Sequence, residues 1–155
     1  MKKYNYTPLY ENAGSGDLNF SIGIFIKAPV EQVWDNIVKA ENVKKYFTTD
    51  ARKNMDKEQE ILWIWGEDAA LLNVIHVTEY EKIIFEWNGY NVEYKVKTEF
   101  IFEKKGKDTL VKIKESGWDL DTKGAKSAFA NCNGWSDFLN ALKVFTEYKI
   151  SYLIK

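Results

Sequence analysis

The sequence is poor in the side chains that carry most catalytic and metal-binding chemistry. It has one cysteine, Cys132, and one histidine, His76, in 155 residues. A lone cysteine cannot form an internal disulfide, and a zinc site of the usual histidine- and cysteine-rich kinds would lack ligands. A serine triad would have to use His76, which is predicted to face outward from a strand. Glycine-rich phosphate-binding motifs are also missing. We therefore predict no metal site and no cofactor, and an enzyme is the less favoured class.

An excess of charge of one sign and a long apolar run are lacking as well. The formal net charge is −1, so no basic surplus is available to bind a nucleic acid. No stretch approaches the roughly 18 apolar residues of a membrane span. Residues 1–17 do not contain the apolar run of a secretory signal peptide. We expect a cytoplasmic protein that has no membrane span and does not bind nucleic acid.

What the sequence does contain is enough apolar material for one folded domain, since 45% of the residues are hydrophobic. Residues 1–17 are polar and aromatic and end in a glycine-rich turn, so they are predicted to form an N-terminal arm that folding does not require. Residues 18–155 are predicted to form the single domain. Apolar residues alternate from Leu18 to Ile26, which predicts a half-buried strand. Helical spacing after Pro29, in "VEQVWDNI" and on to Phe47, predicts a short helical pair.

The remainder of the chain predicts a run of antiparallel strands followed by one long helix. Short apolar segments from Gln59 onward are separated by turn residues, and Asn88-Gly89 is the strongest hairpin signal. Gly117 is predicted to end the strands, and Asp121 or Thr122 to cap a helix of roughly 25 residues. Its apolar stripe passes through Ala125, Ala128 or Phe129, Cys132, Trp135, Leu139, Leu142 and Phe145.

Gly134 lies inside this predicted helix. A glycine in a helix interior costs about 1 kcal/mol relative to alanine. We therefore expect the helix backbone to approach the sheet or a ligand closely at Gly134.

These elements indicate an α+β domain in which a bent antiparallel sheet is covered on its apolar face by the C-terminal helix. The short helical pair near the N-terminus would close one end. Because a twisted sheet diverges from a straight helix, we expect a cavity between the two.

One predicted inward-facing residue is charged. Val111 and Ile113 face the core along the last strand, and the same alternation places Glu115 inside. A buried carboxylate is unfavourable unless it is hydrogen-bonded. It could cap a backbone group, lie at a wet rim, or anchor a polar group of a ligand.

Large aromatic side chains accompany it on the predicted inner faces. Each one alone is explained by core packing, but as a set facing the gap between sheet and helix they favour a pocket for a flat or apolar ligand. The candidate ligand-binding residues are Trp63, Phe85, Trp87, Tyr94, Thr98, Phe100, Glu115, Trp135, Leu139 and Leu142.

Four segments carry a resemblance to a known superfamily. They are "APVEQVWDNI", "KIIFEW", "DTLVKIKESGW" and "GWSDFLNALKVF". In this order they resemble the START-like, or SRPBCC, superfamily, in the branch named for the C-terminal domain of the activator of heat-shock protein 90 ATPase. The resemblance covers about residues 18–150. It implies the helix-grip fold, which is also the fold of the birch-pollen allergens.

The resemblance implies a ligand class more readily than a reaction. Relatives bind lipids, plant phenolics or polyketides, a few are cyclases, and the branch shares no catalytic set. Glu115 stands where the branch usually has histidine. The eukaryotic co-chaperone carries a further N-terminal domain for which this chain has no room, so chaperone activation is not expected to transfer.

Three functions stay open at this stage. The first is a small soluble protein that binds an apolar or aromatic small molecule such as a lipid, phenolic or polyketide. The second is a polyketide-cyclase-like enzyme, which would have to rely on Glu115 or Tyr94. The third is a co-chaperone-like domain with an unspecified protein partner.

Overall fold

The computed structural model describes residues 3–153, which form one seven-stranded antiparallel sheet and three helices. The strand order is β1-β7-β6-β5-β4-β3-β2, so every neighbouring pair except β1 and β7 is consecutive in sequence. The elements are β1 Leu18–Ile26, α1 Val30–Val38, α2 Ala40–Val43, β2 Asp50–Arg52, β3 Gln59–Trp65, β4 Asp68–Thr78, β5 Lys82–Asn88, β6 Lys95–Lys105, β7 Asp108–Trp118 and α3 Thr122–Tyr148. This is the predicted α+β helix-grip arrangement.

Local sequence signals account for the main boundaries. Burial alternates residue by residue along β1, as the period-two pattern predicts. Pro29 precedes α1 with an extended backbone. Asp121 caps α3, because its side-chain oxygen accepts a 2.7 Å hydrogen bond from the Gly124 N–H. The helix ends at Tyr148, and the C-cap residue Lys149 has a left-handed φ of 59°.

The core lies between the concave face of the sheet and α3, and it is filled by aromatic rings. Trp63, Phe85 and Phe100 from the sheet meet Trp135 and Phe138 from α3, with ring centroids 5.3–6.4 Å apart for the pairs that include Trp135. All five side chains are at most 2% exposed. The predicted space between sheet and helix is therefore largely occupied by side chains.

A second, smaller core cluster lies under the first turns of α3. It consists of Val92, Val96, Trp118 and Ala128, and Tyr94 packs against it. The small side chain of Ala128 faces this cluster, whereas Phe129 is 71% exposed. Of the two alternatives for the apolar stripe, the structure thus selects Ala128.

The prediction that Gly117 ends the last strand is wrong. Strand β7 continues to Trp118, and Gly117 lies within it at a φ of 100°. The pairing with β1 shifts by one residue here, so that Leu18 pairs with Trp118 and Asn19 with Ser116. This bulge allows both Glu115 and Trp118 to point into the core, although simple alternation would place them on opposite faces.

Residues of the N-terminal arm are bonded to one end of the sheet. Asn5 and Ala13 form isolated parallel bridges with Asp68 and Lys95. The Asn88 side chain accepts a 2.8 Å hydrogen bond from the Tyr10 N–H and donates one of 2.8 Å to the Pro8 carbonyl. The arm is therefore attached mainly by polar contacts.

Candidate functional site

A small cavity opens at the end of the sheet where α3 passes over the last residues of β3 and β5. Its volume is about 300 Å³, at the lower end of the range for small-molecule sites. We call it the aromatic cavity, because four of its lining residues are aromatic. The lining residues are Phe47, Trp65, Trp87, Asn131, Gly134, Trp135, Asp137 and Leu153.

The walls are placed by three parts of the fold. Trp65 is the last residue of β3 and follows Trp63 at a spacing of two, so both point to the concave face. Phe47 comes from the turn after α2 and contacts Trp65 edge-to-face, with centroids 5.5 Å apart. Across the cavity, Trp87 of β5 packs against Trp135 of α3 at 5.1 Å.

The segment after α3 completes the cavity mouth. Leu153 contributes to the lining and is 39% exposed. The Ser151 hydroxyl donates a 2.5 Å hydrogen bond to the Lys45 carbonyl, which fastens this segment beside the turn that carries Phe47.

Behind the inner wall lies Glu115, fully buried on β7. Its Oε2 accepts hydrogen bonds from the Thr98 hydroxyl at 2.7 Å, the Trp135 indole N–H at 2.9 Å and the Trp87 indole N–H at 3.1 Å. Its Oε1 accepts one from the Asn131 side-chain amide at 2.7 Å. Two of the aromatic walls are thus held in orientation by one carboxylate.

Burial raises the pKa of Glu115, and the four hydrogen bonds oppose that rise without cancelling it. No cation takes part, because all four donors are neutral groups. The Cys132 thiol is the titratable neighbour on α3, and its pKa is raised first by burial and then by the charge of Glu115. Protonation of Glu115 can be accommodated by rotation of the Asn131 amide, which then presents its oxygen as an acceptor.

The structure places the predicted site residues in three groups. Trp87 and Trp135 line the aromatic cavity, and Glu115 and Thr98 lie directly behind them. Tyr94 lies apart at the second core cluster, where its hydroxyl accepts a hydrogen bond from the Asp119 N–H. The remaining candidates are packed in the main core: Trp63, Phe85, Phe100, Leu139 and Leu142. A role for any of them in ligand binding stays a prediction.

Sequence reasoning missed several residues that line the cavity. Trp65 could have been found, since its spacing from Trp63 puts both on one face of β3. Asn131 also had a signal, because it precedes Trp135 by four residues on the same helix. Asp137 had none, because it is an exposed polar residue of α3 outside the apolar stripe. Leu153 had none either, since its position depends on how the segment after α3 packs.

The expectation for Gly134 is wrong in its geometry. A Cβ atom built at Gly134 would meet nothing within 4 Å, so the helix does not approach the sheet closely there. Gly134 instead lies on the solvent side of α3 and lines the mouth of the cavity. The glycine leaves open space where a side chain would project.

A larger cleft of about 730 Å³ lies at the opposite end of the sheet. It is lined largely by polar and charged side chains, including Glu31, Glu79, Glu81 and Lys82. It also contains His76, which is exposed as predicted and pairs with the Thr78 hydroxyl at 2.9 Å.

Between residues 3 and 153, no group of three or more histidine, cysteine or acidic side chains could hold a metal ion. None of the helices in the same range has the length and apolar character needed to cross a membrane.

The sequence over residues 27–147 matches the family described as Activator of Hsp90 ATPase homolog 1-like protein. The chain belongs to this family. Among curated proteins, no sequence matches it significantly.

Several solved structures are similar to this chain and share its fold. Protein SSP2350 from Staphylococcus saprophyticus is 22% identical with a TM-score of 0.73, and the match covers 86% of this chain and 95% of that one. The Aha1 dimer from Colwellia psychrerythraea is 22% identical with a TM-score of 0.71, over 84% and 97% of the two chains. DynU16, from the dynemicin biosynthetic locus, is 20% identical with a TM-score of 0.73, over 84% of this chain and 48% of that one. The helix-grip fold and the START-like branch predicted from the motifs are confirmed.

Proposed function

We propose that this protein binds an apolar or aromatic small molecule in the aromatic cavity. The observation that carries the proposal is a solvent-open cavity, walled by Phe47, Trp65, Trp87 and Trp135, where the packed core reaches the surface beside a buried carboxylate. Aromatic side chains left partly exposed in a concavity are typical of binding sites. The larger cleft at the other end is a weaker candidate, because nearly half of its lining residues are charged.

The ligand is expected to enter only partly. The main core beyond Trp135 is filled by Phe85, Phe100 and Phe138, each fully buried. A cavity of about 300 Å³ accommodates a ring system or a short chain. A long lipid tail would require the core aromatics to move. Phenolic or polyketide-like molecules therefore suit the present shape better than long-chain lipids.

A cyclase-like reaction is the second candidate, and DynU16, which comes from a biosynthetic locus, gives it some support. The chemistry available is limited. Glu115 is enclosed by four donors, and Tyr94 lies at the second core cluster. A buried carboxyl with a raised pKa suits a general acid, but here its oxygen atoms are already engaged. We therefore place binding ahead of catalysis. A cytoplasmic location and an unspecified protein partner stay predictions from the sequence.

The test is a ligand screen read by tryptophan fluorescence and checked by calorimetry. We expect neutral aromatic compounds such as 2-naphthol and flavone to bind and to change the emission of the cavity tryptophans. The variant Trp65→Leu should weaken binding about tenfold. The smaller leucine side chain buries less of the ligand's apolar surface than the Trp65 indole does. Tyr90→Leu is the matched control, because Tyr90 is 55% exposed and lies outside the cavity lining.

Absence of binding by the whole panel would refute the proposal. Binding that is unaffected by Trp65→Leu would move the site elsewhere. Turnover of a bound polyketide or phenolic substrate would favour the cyclase alternative.

A further inference from the structure

The charged groups in and beside the aromatic cavity are negative. Asp137 on α3 contributes a carboxylate, and within residues 3–153 no lysine, arginine or histidine lines the cavity. Glu115 adds a second carboxyl one side chain further in, connected to the cavity through Trp87 and Trp135. The electrostatic potential inside the cavity is therefore expected to be negative.

The Glu115 carboxylate has no countercharge within the described part of the chain. Its partners are two indole N–H groups, one hydroxyl and one amide, and it is absent from the ion pairs formed by residues 3–153. Charge in a water-poor interior is weakly screened. Its field therefore reaches the neighbouring cavity, where a cation would be stabilised.

The aromatic walls favour the same sign of charge. Indole rings attract a cation placed near their faces more strongly than other aromatic rings do. Trp87 and Trp135 both donate their N–H groups to the carboxylate, which shifts electron density toward the rings and strengthens that attraction. Trp65 and Phe47 supply two further rings on the facing side.

The aromatic cavity offers few free hydrogen-bond donors to a ligand that is an anion or a strong hydrogen-bond acceptor. The indole N–H groups of Trp87 and Trp135 and the amide of Asn131 are already used by Glu115. A primary ammonium group would have to give up its tight hydration for the few acceptors in the lining. An alkylated ammonium group is weakly hydrated, needs no hydrogen-bond acceptor and gains contact with every ring.

We propose that the aromatic cavity recognises a ligand with an alkylated ammonium group, such as a quaternary amine, held among the four aromatic rings and facing Asp137. The proposal rests on the proposed function, since it names the chemistry of the ligand for that same cavity. It also assigns Glu115 a positioning role, because its enclosed oxygens orient the two tryptophans and act on the ligand by charge rather than by contact.

The test compares choline with 3,3-dimethylbutan-1-ol, which has the same shape with carbon in place of the charged nitrogen. Both are titrated into the full chain at pH 7 and fixed ionic strength, with tryptophan fluorescence and calorimetry as readouts. We expect choline to bind in the millimolar range and at least about tenfold more tightly than the alcohol. Added salt should reduce that preference.

Two variants locate the effect. Asp137→Asn and Glu115→Gln each remove one carboxylate while keeping side-chain shape, and each should lower the ratio of choline affinity to alcohol affinity about threefold or more. Glu81→Gln is the matched control, because it makes the same change of net charge at the far cleft. Its affinity ratio should equal that of the parent.

The possible results separate the two proposals. Equal affinity for choline and the alcohol, or no binding of choline while neutral aromatic compounds bind, overturns the cation inference and leaves the proposed function intact. The cation inference is also overturned if Glu81→Gln lowers the ratio of choline affinity to alcohol affinity as much as Asp137→Asn does. The effect would then come from the net charge of the protein. Failure of choline, the alcohol and the neutral panel together overturns both.

Discussion

The indole N–H of Trp135 donates a 2.9 Å hydrogen bond to the carboxylate of Glu115, so the middle of α3 is joined to β7 by a polar contact inside an aromatic core. The same oxygen also accepts hydrogen bonds from Thr98 and Trp87. This one carboxylate therefore sets both the position of the helix and the shape of the cavity wall.

Replacement of Glu115 by glutamine should raise stability at neutral pH. The amide oxygen can take the place of Oε2, and its NH₂ group can pair with the rotated Asn131 amide, so the donors stay satisfied. The cost of burying a charge disappears, which is expected to stabilise the variant on the order of 1 kcal/mol. Urea unfolding at pH 7 measures this difference, and a destabilised variant would show that the charge itself is needed.

The stability gain of Glu115→Gln should depend on pH in a definite direction. Burial raises the native pKa of Glu115, so the native state holds the proton more tightly than the unfolded chain does. This tighter proton binding stabilises the native state. Its contribution to the free energy of unfolding is complete below the unfolded pKa of Glu115, about 4.3, and is lost as pH rises through the native pKa. The advantage of the glutamine variant over the parent should therefore grow from about pH 4 upward. An advantage that shrinks over that interval would contradict the assigned pKa direction.

Gly134→Ala should stabilise the protein by about 1 kcal/mol, since alanine is the better helix former and its methyl group meets open space. Gly124→Ala is the contrasting variant on the same helix. A Cβ there would overlap the backbone oxygen of Asp119, so this change should destabilise. Thermal unfolding of both variants checks the pair. A loss of stability in Gly134→Ala would mean that the helix approaches another group at this position after all.

Tyr46→Phe should cost about 1–2 kcal/mol of stability. The Tyr46 hydroxyl donates a 2.8 Å hydrogen bond to the carbonyl of Asn36 near the end of α1, and the ring stacks on Phe145 of α3. The variant keeps the stacking but leaves a buried carbonyl without its donor. Tyr90→Phe, at an exposed site, is the control and should be neutral. Equal stability of the two variants would place a water or another donor at Asn36.

Removal of residues 1–16 should leave a cooperatively folded domain whose melting temperature is about 2–8 °C lower. The arm contributes hydrogen bonds at Asn88, Lys95 and Asp119, but few buried apolar side chains. Asn88→Ala in the full chain should reproduce part of the loss, since it breaks the contacts to Tyr10 and Pro8. Loss of the cooperative transition in the truncated chain would instead make the arm part of the domain.

The fold was predictable because its signals are periodic and local. Alternation in β1, β6 and β7 and the Asp121 cap each act over a few residues, and they agree with the structure. The Asn88-Gly89 signal marks the end of β5, but it does not form a two-residue turn, because β6 begins only at Lys95 and the Gly89 N–H bonds to the Tyr94 carbonyl. The inward position of Glu115 followed from the same alternation. Trp118 did not, because the bulge at Gly117 reverses the face and depends on the pairing with β1.

The cavity was harder to predict, since it depends on how large side chains fill a shared space. The sequence indicated a gap between sheet and helix, but Phe85, Phe100 and Phe138 occupy most of it. Gly134 illustrates the same limit. It is adjacent to the buried Trp135, yet one residue turns a helix by 100 degrees, and this is enough to place Gly134 on the outer side. Spacing alone does not distinguish a glycine that faces a neighbouring element from one at a cavity mouth.

The position of Leu153 bears on how the protein should be handled. This residue lines the aromatic cavity, and Ser151 attaches its segment to the Lys45 carbonyl. An affinity tag or a surface linker joined after Lys155 would be separated from this cavity wall by only two residues. A fusion at the amino end joins a segment none of whose described residues lines the cavity. Sensor chips, resin capture and fluorescent labels should therefore be attached through the amino end.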